Sequence, residues 1–436
     1  MSSLAEPIVD VGHEMHALIA ELFPICRSIT GDGLRETLRL LQRQVPLEIV
    51  EVASGSRVFD WTVPKEWNIR DAWIANSKGE RVVDFRDSNL HVVSYSVPIR
   101  ATMSLAELRP RLHTIPEHPD WIPYRTSYYA ESWGFCLSQR ALDALPDDTY
   151  EVCIDSSLAP GYLTYGEYVL DGTTDDEVLV SCHCCHPSLA NDNLSGIAVA
   201  VELARQLKTR ADELRYTYRF LFIPGTIGSI TWLARNREAA SRIRHGLVLS
   251  CLGDAGLLTY KRSRRGDALV DRAAQHVLER LFASDRVRDF VPYGYDERQY
   301  CSPGFNLAVG CLTRTPNSEY PEYHTSADDL ELVRAESLAE SLAACERILE
   351  VLEHDAVYLN LSPCGEPQLG RRGLYRSGGG HTSLPNYDMA LLWVLSFSDG
   401  SHSLLDIAER AELEFGVVRR AAADLAEHQL LRLASA

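Results

Sequence analysis

Between residues 11 and 46 apolar side chains recur at a spacing near 3.6, as Met15, Leu18, Ile19, Leu22 and Phe23 and again as Leu34, Leu38 and Leu41. That period predicts two helices. They are joined by Arg27-Ser-Ile-Thr-Gly-Asp-Gly-Leu34, in which Thr30 or Asp32 is placed to cap the second helix, with Glu36 in its first turn. The segment reads either as a plain helix connection or as a place where Arg27 or the helix N-terminus meets a substrate anion. From 48 to 145 the pattern turns to short aromatic-rich runs such as Arg57-Val-Phe-Asp-Trp-Thr-Val-Pro64, Asp71-Ala-Trp-Ile-Ala-Asn76 and His91-Val-Val-Ser-Tyr-Ser-Val97, broken by Gly, Pro and Asn. This predicts an inserted β-rich domain. Its Trp61, Trp67, Trp73, Trp121 and Trp133 are expected in core or inter-domain packing, with a lid over a cleft as the alternative.

From 150 to 355 buried-strand patterns (Glu177-Val-Leu-Val-Ser181, Tyr216 to Ile223, Gly246 to Ser250, Asn306 to Leu312) alternate with helical stretches over 194–208, 228–243, 267–283 and 334–355. Such alternation predicts an α/β fold, a mostly parallel sheet flanked by helices, whose sites lie at the C-terminal ends of its strands. The expected layout is a catalytic domain over 1–47 and 146–358, the insert over 48–145 and a Pro- and Gly-bearing linker over 359–385. A winged helix-turn-helix-like domain follows over 386–436.

Charge narrows the function classes. There are 61 acidic residues against 43 Lys and Arg, a formal net charge of −18, which opposes binding to a nucleic-acid backbone. The final domain sharpens this, since residues 386–436 hold four Arg (410, 419, 420 and 432), no Lys and eight acidic residues. A packing or dimerisation module is expected there, with homo-oligomer formation through it, and no nucleic-acid partner. No apolar run reaches the ~20 residues of a membrane helix. The N-terminus also lacks a basic stretch followed by an apolar one, so a cytoplasmic protein without a membrane partner is expected. The 11 Cys are odd in number and three crowd into Ser181-Cys-His-Cys-Cys-His186. They read as small buried thiols rather than a disulfide framework or a thiolate zinc site.

The densest chemistry follows the first of these strands, in Cys182-His-Cys-Cys-His-Pro-Ser-Leu-Ala-Asn-Asp-Asn-Leu-Ser-Gly196 running into an apolar helix. Later loops add Asp254, Asp296-Glu-Arg-Gln-Tyr300 and Tyr320-Pro-Glu-Tyr-His-Thr-Ser-Ala-Asp-Asp329. Histidine nitrogens and carboxylate oxygens after successive strands are the donor types of a catalytic metal site.

Asn191-Asp-Asn-Leu-Ser-Gly196 resembles the Asp-Asn-x-Ser-Gly signature of the co-catalytic zinc aminopeptidases, and Tyr323-His-Thr-Ser-Ala-Asp-Asp resembles the segment with that superfamily's last metal histidine. A bacterial aminopeptidase-like branch with an inserted β domain and a winged-helix tail is matched more closely. The match runs through Arg27-Ser-Ile-Thr-Gly-Asp-Gly, Val58-Phe-Asp-Trp-Thr-Val-Pro-Lys-Glu-Trp67, Asn89-Leu-His-Val-Val-Ser-Tyr-Ser96, Trp133-Gly-Phe-Cys136, Cys185-His-Pro-Ser188, Asp296-Glu-Arg-Gln-Tyr-Cys301 and Tyr320-Pro-Glu-Tyr-His-Thr325. The resemblance implies zinc, with His186 as first ligand and His183 competing for that place. It also implies Asp192 as bridging carboxylate, Asp254 as a ligand of the first metal and His324 as a ligand of the second.

One departure changes the expectation. Where the superfamily ends a strand in a carboxylate pair, and the closer branch keeps a Glu before Thr-Ile-Gly-Ser, this chain has Gly225 and Thr226. One tight zinc is therefore expected and a second site is doubtful. The proton acceptor must come from elsewhere, with Glu297 and Glu322 as candidates. Arg298 and Arg314 could hold a substrate carboxylate. Tyr323, and more weakly Tyr300, could donate to an oxyanion. The expected function is a zinc-dependent aminopeptidase-like amidohydrolase acting on a small peptide or N-acyl amino compound. The alternatives are a non-hydrolytic metal-binding assembly protein and an amide-forming or transferase enzyme using the same zinc.

Overall fold

The computed structural model describes residues 5–374 and 387–434. The chain divides into two units, one of residues 1–266 and 288–343 and one of 267–287 and 344–436.

The first unit opens with the two expected helices, α1 (Ala5–Leu22) and α2 (Asp32–Gln42). The expected cap at α2 is replaced. Gly31 stands at the N-cap, and the amide of Asp32 donates instead to Asn68 Oδ1 at 2.6 Å, while Thr30 Oγ1 accepts from the amide of Trp67. The inserted domain thus fastens the start of α2.

The central sheet has eight strands: β1 (Glu48–Ala53), β2 (Tyr162–Leu170), β3 (Glu177–His183), β4 (Thr217–Ile223), β5 (Ile243–Leu249), β6 (Thr259–Lys261), β7 (Val287–Arg288) and β8 (Val309–Thr313), in the order β1-β2-β4-β3-β5-β8-β6-β7. The inner four, β4-β3-β5-β8, are parallel, β2 and β6 join them antiparallel, and β1 pairs antiparallel with β2. Burial explains the sequence pattern. Every residue of β3 and β4 is buried, as apolar runs covered on both faces require. Helix α3 (Gly196–Thr209) follows β3, and α4 (Ile227–Arg235) follows β4.

The insert is a four-stranded antiparallel sheet in the order Arg81–Asp84, Glu66–Ala75, Thr149–Ala159, Ile99–Ser104. Its limits differ from those expected. Residues 48–53 belong to the central sheet, and Thr149–Ala159 pairs along Glu66–Ala75. An edge strand paired across the chain carries no local signal that says which sheet it joins.

In the second unit Val357–Asn360 pairs with Asp399–Ser403 and Leu431–Leu433, beside helices Tyr387–Phe397, Leu404–Ala411 and Phe415–Glu427. The winged-helix domain therefore starts near residue 357 rather than 386. The Ser377-Gly-Gly-Gly380 part of the expected linker lies outside the described residues. Helix Leu269–Leu281 belongs to this unit. Its Arg272 pairs with Asp406 and Glu409, and the Nε2 of its buried His276 accepts from the amide of Phe415 at 3.1 Å. Burial pushes the His276 imidazole down to about 4, so it is neutral and able to accept at ordinary pH. Among the described residues no helix is long and apolar enough to cross a membrane.

Candidate metal centre

β3 ends at His183, and the chain leaves the sheet into the loop that carries the chemistry before α3 begins at Gly196. The loop is held by its own polar side chains. Asn193 Oδ1 accepts from the amides of Gly196 and Cys251, and its Nδ2 donates to the carbonyl of Leu249 at 3.0 Å. Asn191 Oδ1 accepts from the amide of Gly253, and Asp328 accepts from the amides of Asn191 and Asp192 at 2.5 and 3.0 Å. Burial pushes the Asp328 carboxyl up to about 8. The loop is thereby tied to β5 and to the segment that carries His324.

This scaffold presents Asp192, fully buried, with one oxygen to each of two imidazoles. His183 Nε2 lies 2.8 Å from Oδ1 and His324 Nε2 lies 2.9 Å from Oδ2. His186 stands alongside. Ligand atoms of His183, His186 and Asp192 all fall within 4.8 Å of one another. Burial works against the Asp192 charge, but His186, His183 and His324 outweigh it and hold the carboxyl well below its usual range. Burial likewise pushes His186 down to about 3, which keeps its nitrogen lone pair available. Aromatic rings wall the group. Tyr295 stacks on His183 at 4.8 Å, Tyr323 stacks on His324 at 4.0 Å, and Tyr124 sets its edge against His186 and His324 at 5.3 and 5.1 Å. Tyr124 comes from the insert, where the amides of Tyr124 and Ser326 bond across to the carbonyls of His324 and Ile122. His324 itself sits at φ +57° and Thr226 at +63°, a region β-branched and bulky residues rarely occupy outside functional sites.

Both histidines that competed in the sequence are thus brought in, with His183 the one in contact with Asp192. Several other expected residues are not. Asp254 spends its carboxylate on the amides of Gly256 and Thr315, the Thr315 hydroxyl and Asn191 Nδ2, so it supports the loop from behind. Glu297 is fully buried in an ion pair with Lys261. Tyr300 is a core residue whose hydroxyl meets Ser181 Oγ at 2.9 Å. Arg314 donates to the carbonyls of Gly256 and Ser337 and pairs with Glu340, an internal brace. Arg298 reaches Thr226 Oγ1 at 3.2 Å, beside Gly225, and Glu322 is half-exposed next to Tyr323. Cys182, Cys184 and Cys185 are buried free thiols.

Three residues at the site were not singled out from sequence: Asp296, Tyr295 and Tyr124. Asp296 lies inside the Asp296-Glu-Arg-Gln-Tyr300 segment, and its signal was present. It accepts from the Thr226 amide at 2.6 Å and from Ser229 Oγ at 2.8 Å, both on Oδ1. Burial pushes its carboxyl up against the pull of His183.

His183, His186 and Asp192 bring imidazole nitrogens and a carboxylate oxygen together, with His324 on the second Asp192 oxygen, a donor set suited to zinc, so the residues present fit the metal that the motif implies. Residues 16–355 match the family described as a domain of unknown function, DUF4910, and residues 356–433 match a winged helix-turn-helix family. A protein of Clostridium acetobutylicum, provisionally named a polysaccharide biosynthesis protein with aminopeptidase-like domain, is 52% identical over 424 residues, 97% of each chain. A crystal structure from the same organism, provisionally called a peptidase, superposes with a TM-score of 0.93 at 50% identity over 98% of both chains. A zinc aminopeptidase of Bacillus subtilis shares the fold at 14% identity, with a TM-score of 0.56 over 78% of this chain and 94% of that one. The chain belongs to the DUF4910 family, with the fold of the zinc aminopeptidases and a C-terminal winged helix.

Proposed function

We propose that the protein is a zinc-dependent amidohydrolase of a small peptide or N-acyl amino compound. The observation that carries this reading is Asp192, buried between His183 and His324 with His186 alongside. Zinc held there by these four side chains would polarise the scissile carbonyl. The chain's own groups would do the rest. Tyr323, packed on His324, has a hydroxyl to offer the developing oxyanion, and Arg298 at Thr226 offers a guanidinium to a substrate carboxylate. Tyr124 and the insert narrow the approach to short substrates. The Clostridium relative is named for polysaccharide biosynthesis, so acylated sugars are tested beside peptides.

The test is metal analysis after dialysis, together with a panel of aminoacyl anilides, dipeptides and N-acyl amino sugars with and without chelator. We expect close to one zinc per chain and chelator-sensitive amide cleavage. Two tightly held equivalents would remove the single-site expectation, and no cleavage of any member would remove the hydrolase reading. Gly225, which cannot take a proton, favours a second reading, acyl transfer to an amine. An added amine in the same panel would then be acylated in preference to water.

The winged helix is proposed to pack or oligomerise rather than to read DNA. Arg419 pairs with Glu350, Arg420 faces Asp424, and the amide at the start of helix Phe415–Glu427 is taken by His276, which leaves that helix little to offer phosphates. Mobility-shift assays with random duplex DNA at 50 mM salt should show no binding at micromolar protein. A shift that weakens steeply with salt would overturn this.

A further inference from the structure

We propose that Asp296 is the proton acceptor for the attacking water, taking over from the carboxylate that Gly225 lacks. The inference rests on the amidohydrolase reading above. A Cβ placed on Gly225 would lie 3.6 Å from His183 Cβ and 3.7 Å from Cys185 Sγ, in ordinary contact, so a side chain there would fit and would run beside a metal-ligand histidine. Asp296 is bonded to the peptide that follows Gly225, through the amide of Thr226 at 2.6 Å. Its Oδ1 is fixed by the Thr226 amide and Ser229 Oγ, both at the start of α4, so the carboxylate cannot turn away. Its Oδ2 is buried and has no hydrogen-bond partner among the described residues. Buried carboxylate oxygens are mostly paired in folded proteins, so an oxygen without a protein partner, on a carboxylate fixed next to Gly225, is free to act on a ligand. The rival carboxylates are differently committed: Glu297 is held in an ion pair by Lys261, and Glu322 is half-exposed in the loop beside Tyr323.

In the step assigned to it, an O–H bond of water breaks as its oxygen bonds to the amide carbon, and the proton passes to Asp296 Oδ2. Asp296 then returns that proton to the nitrogen as the C–N bond breaks. The products are a carboxylic acid and an amine, and Asp296 is ionised again.

Asp296→Asn is a specific probe, because the amide oxygen can still accept from Thr226 and Ser229 while the position of Oδ2 becomes a donor. Zinc-loaded wild type and variant would be compared for zinc content, for amide cleavage, and for calorimetric binding of acetohydroxamic acid, whose proton needs an acceptor in the site. We expect unchanged zinc content, cleavage lower by about 10²–10⁴-fold, the usual worth of a general base, and hydroxamate affinity lower by about tenfold or more, the worth of a hydrogen bond to a charged group. Adding Gly225→Glu to Asp296→Asn should recover part of both, which a merely structural role for Asp296 would not allow. Wild-type cleavage and hydroxamate binding in Asp296→Asn, or their loss only on replacing Glu322, would overturn the inference and leave the hydrolase reading standing. Wild type that neither cleaves amides nor binds hydroxamate would overturn both.

Discussion

Asp192→Asn should abolish tight zinc binding while leaving the chain folded. The carboxylate is the one anionic member of the cluster and touches two of its three imidazoles, at 2.8 and 2.9 Å. An amide in its place can present only one oxygen, and its nitrogen, already carrying two hydrogens, would repel a cation at the other position. Either His183 or His324 is then left facing a donor. The fold should survive because the amide of residue 192 keeps its bond to Asp328, and the Asn191 and Asn193 contacts do not involve the changed side chain. The measurement is thermal unfolding with and without zinc. Metal at a thousandfold excess over its Kd stabilises a native state by about 4 kcal/mol, so wild type should melt several degrees higher with zinc and the variant should not move. His324→Ala is expected to fall between them, since a third of the His324 side chain is accessible and the His183–Asp192 contact would remain. An equal zinc-induced shift in Asp192→Asn would mean that the metal sits elsewhere.

The legible part of this molecule was the part with local period. β3, β4 and β8 are uniformly buried runs between amphipathic helices, and β5 is buried from Gly246 to Leu249, so composition alone marks them, and the loop after β3 is dense in ligand types within a dozen residues. What could not be read was partnership at a distance. Asp254 and Arg314 have the right chemical type in strand-end loops, and only the fold shows that they brace each other's surroundings rather than face the cluster. Glu297 and Asp296 are neighbours in sequence. On a short helical turn their side chains diverge by roughly 100°, so one is drawn to Lys261 and the other to the start of α4. Tyr124 had no signal, because it acts through a pairing between residues 122–124 and 324–326 that no local pattern encodes.

Arg27→Met should cost little stability and much metal affinity. Neither sequence reading of Arg27, as part of a plain turn or as an anion contact, describes what it does. It is fully buried, its Nε donates to the carbonyl of His186 at 2.9 Å and its Nη1 to the carbonyl of Leu22 at 2.6 Å, so it clamps the ligand loop to the end of α1. Two opposing terms set the stability change. Removing the guanidinium strands two carbonyls, at about 1–3 kcal/mol each. Burial, however, pulls the Arg27 pKa down from 12.5 to about 10, which corresponds to a penalty of roughly 3 kcal/mol for keeping that charge inside. Methionine, similar in length and apolar, removes the penalty along with the bonds, and the net change should lie within about 2 kcal/mol, as with other buried charges replaced by apolar side chains. Zinc affinity has no such compensation, since the carbonyl of His186 loses the guanidinium that holds it, while Ser188 Oγ on the Phe23 carbonyl anchors the loop only two residues further on; groups that orient metal ligands are worth about 10–100-fold in affinity. Arg27→Lys should be the worse variant for stability, because it keeps a buried cation and cannot reach both carbonyls at once. Chemical denaturation of the metal-free protein and competitive zinc titration separate the two effects. Wild-type zinc affinity in a folded Arg27→Met would show that His186 is aimed by the loop alone.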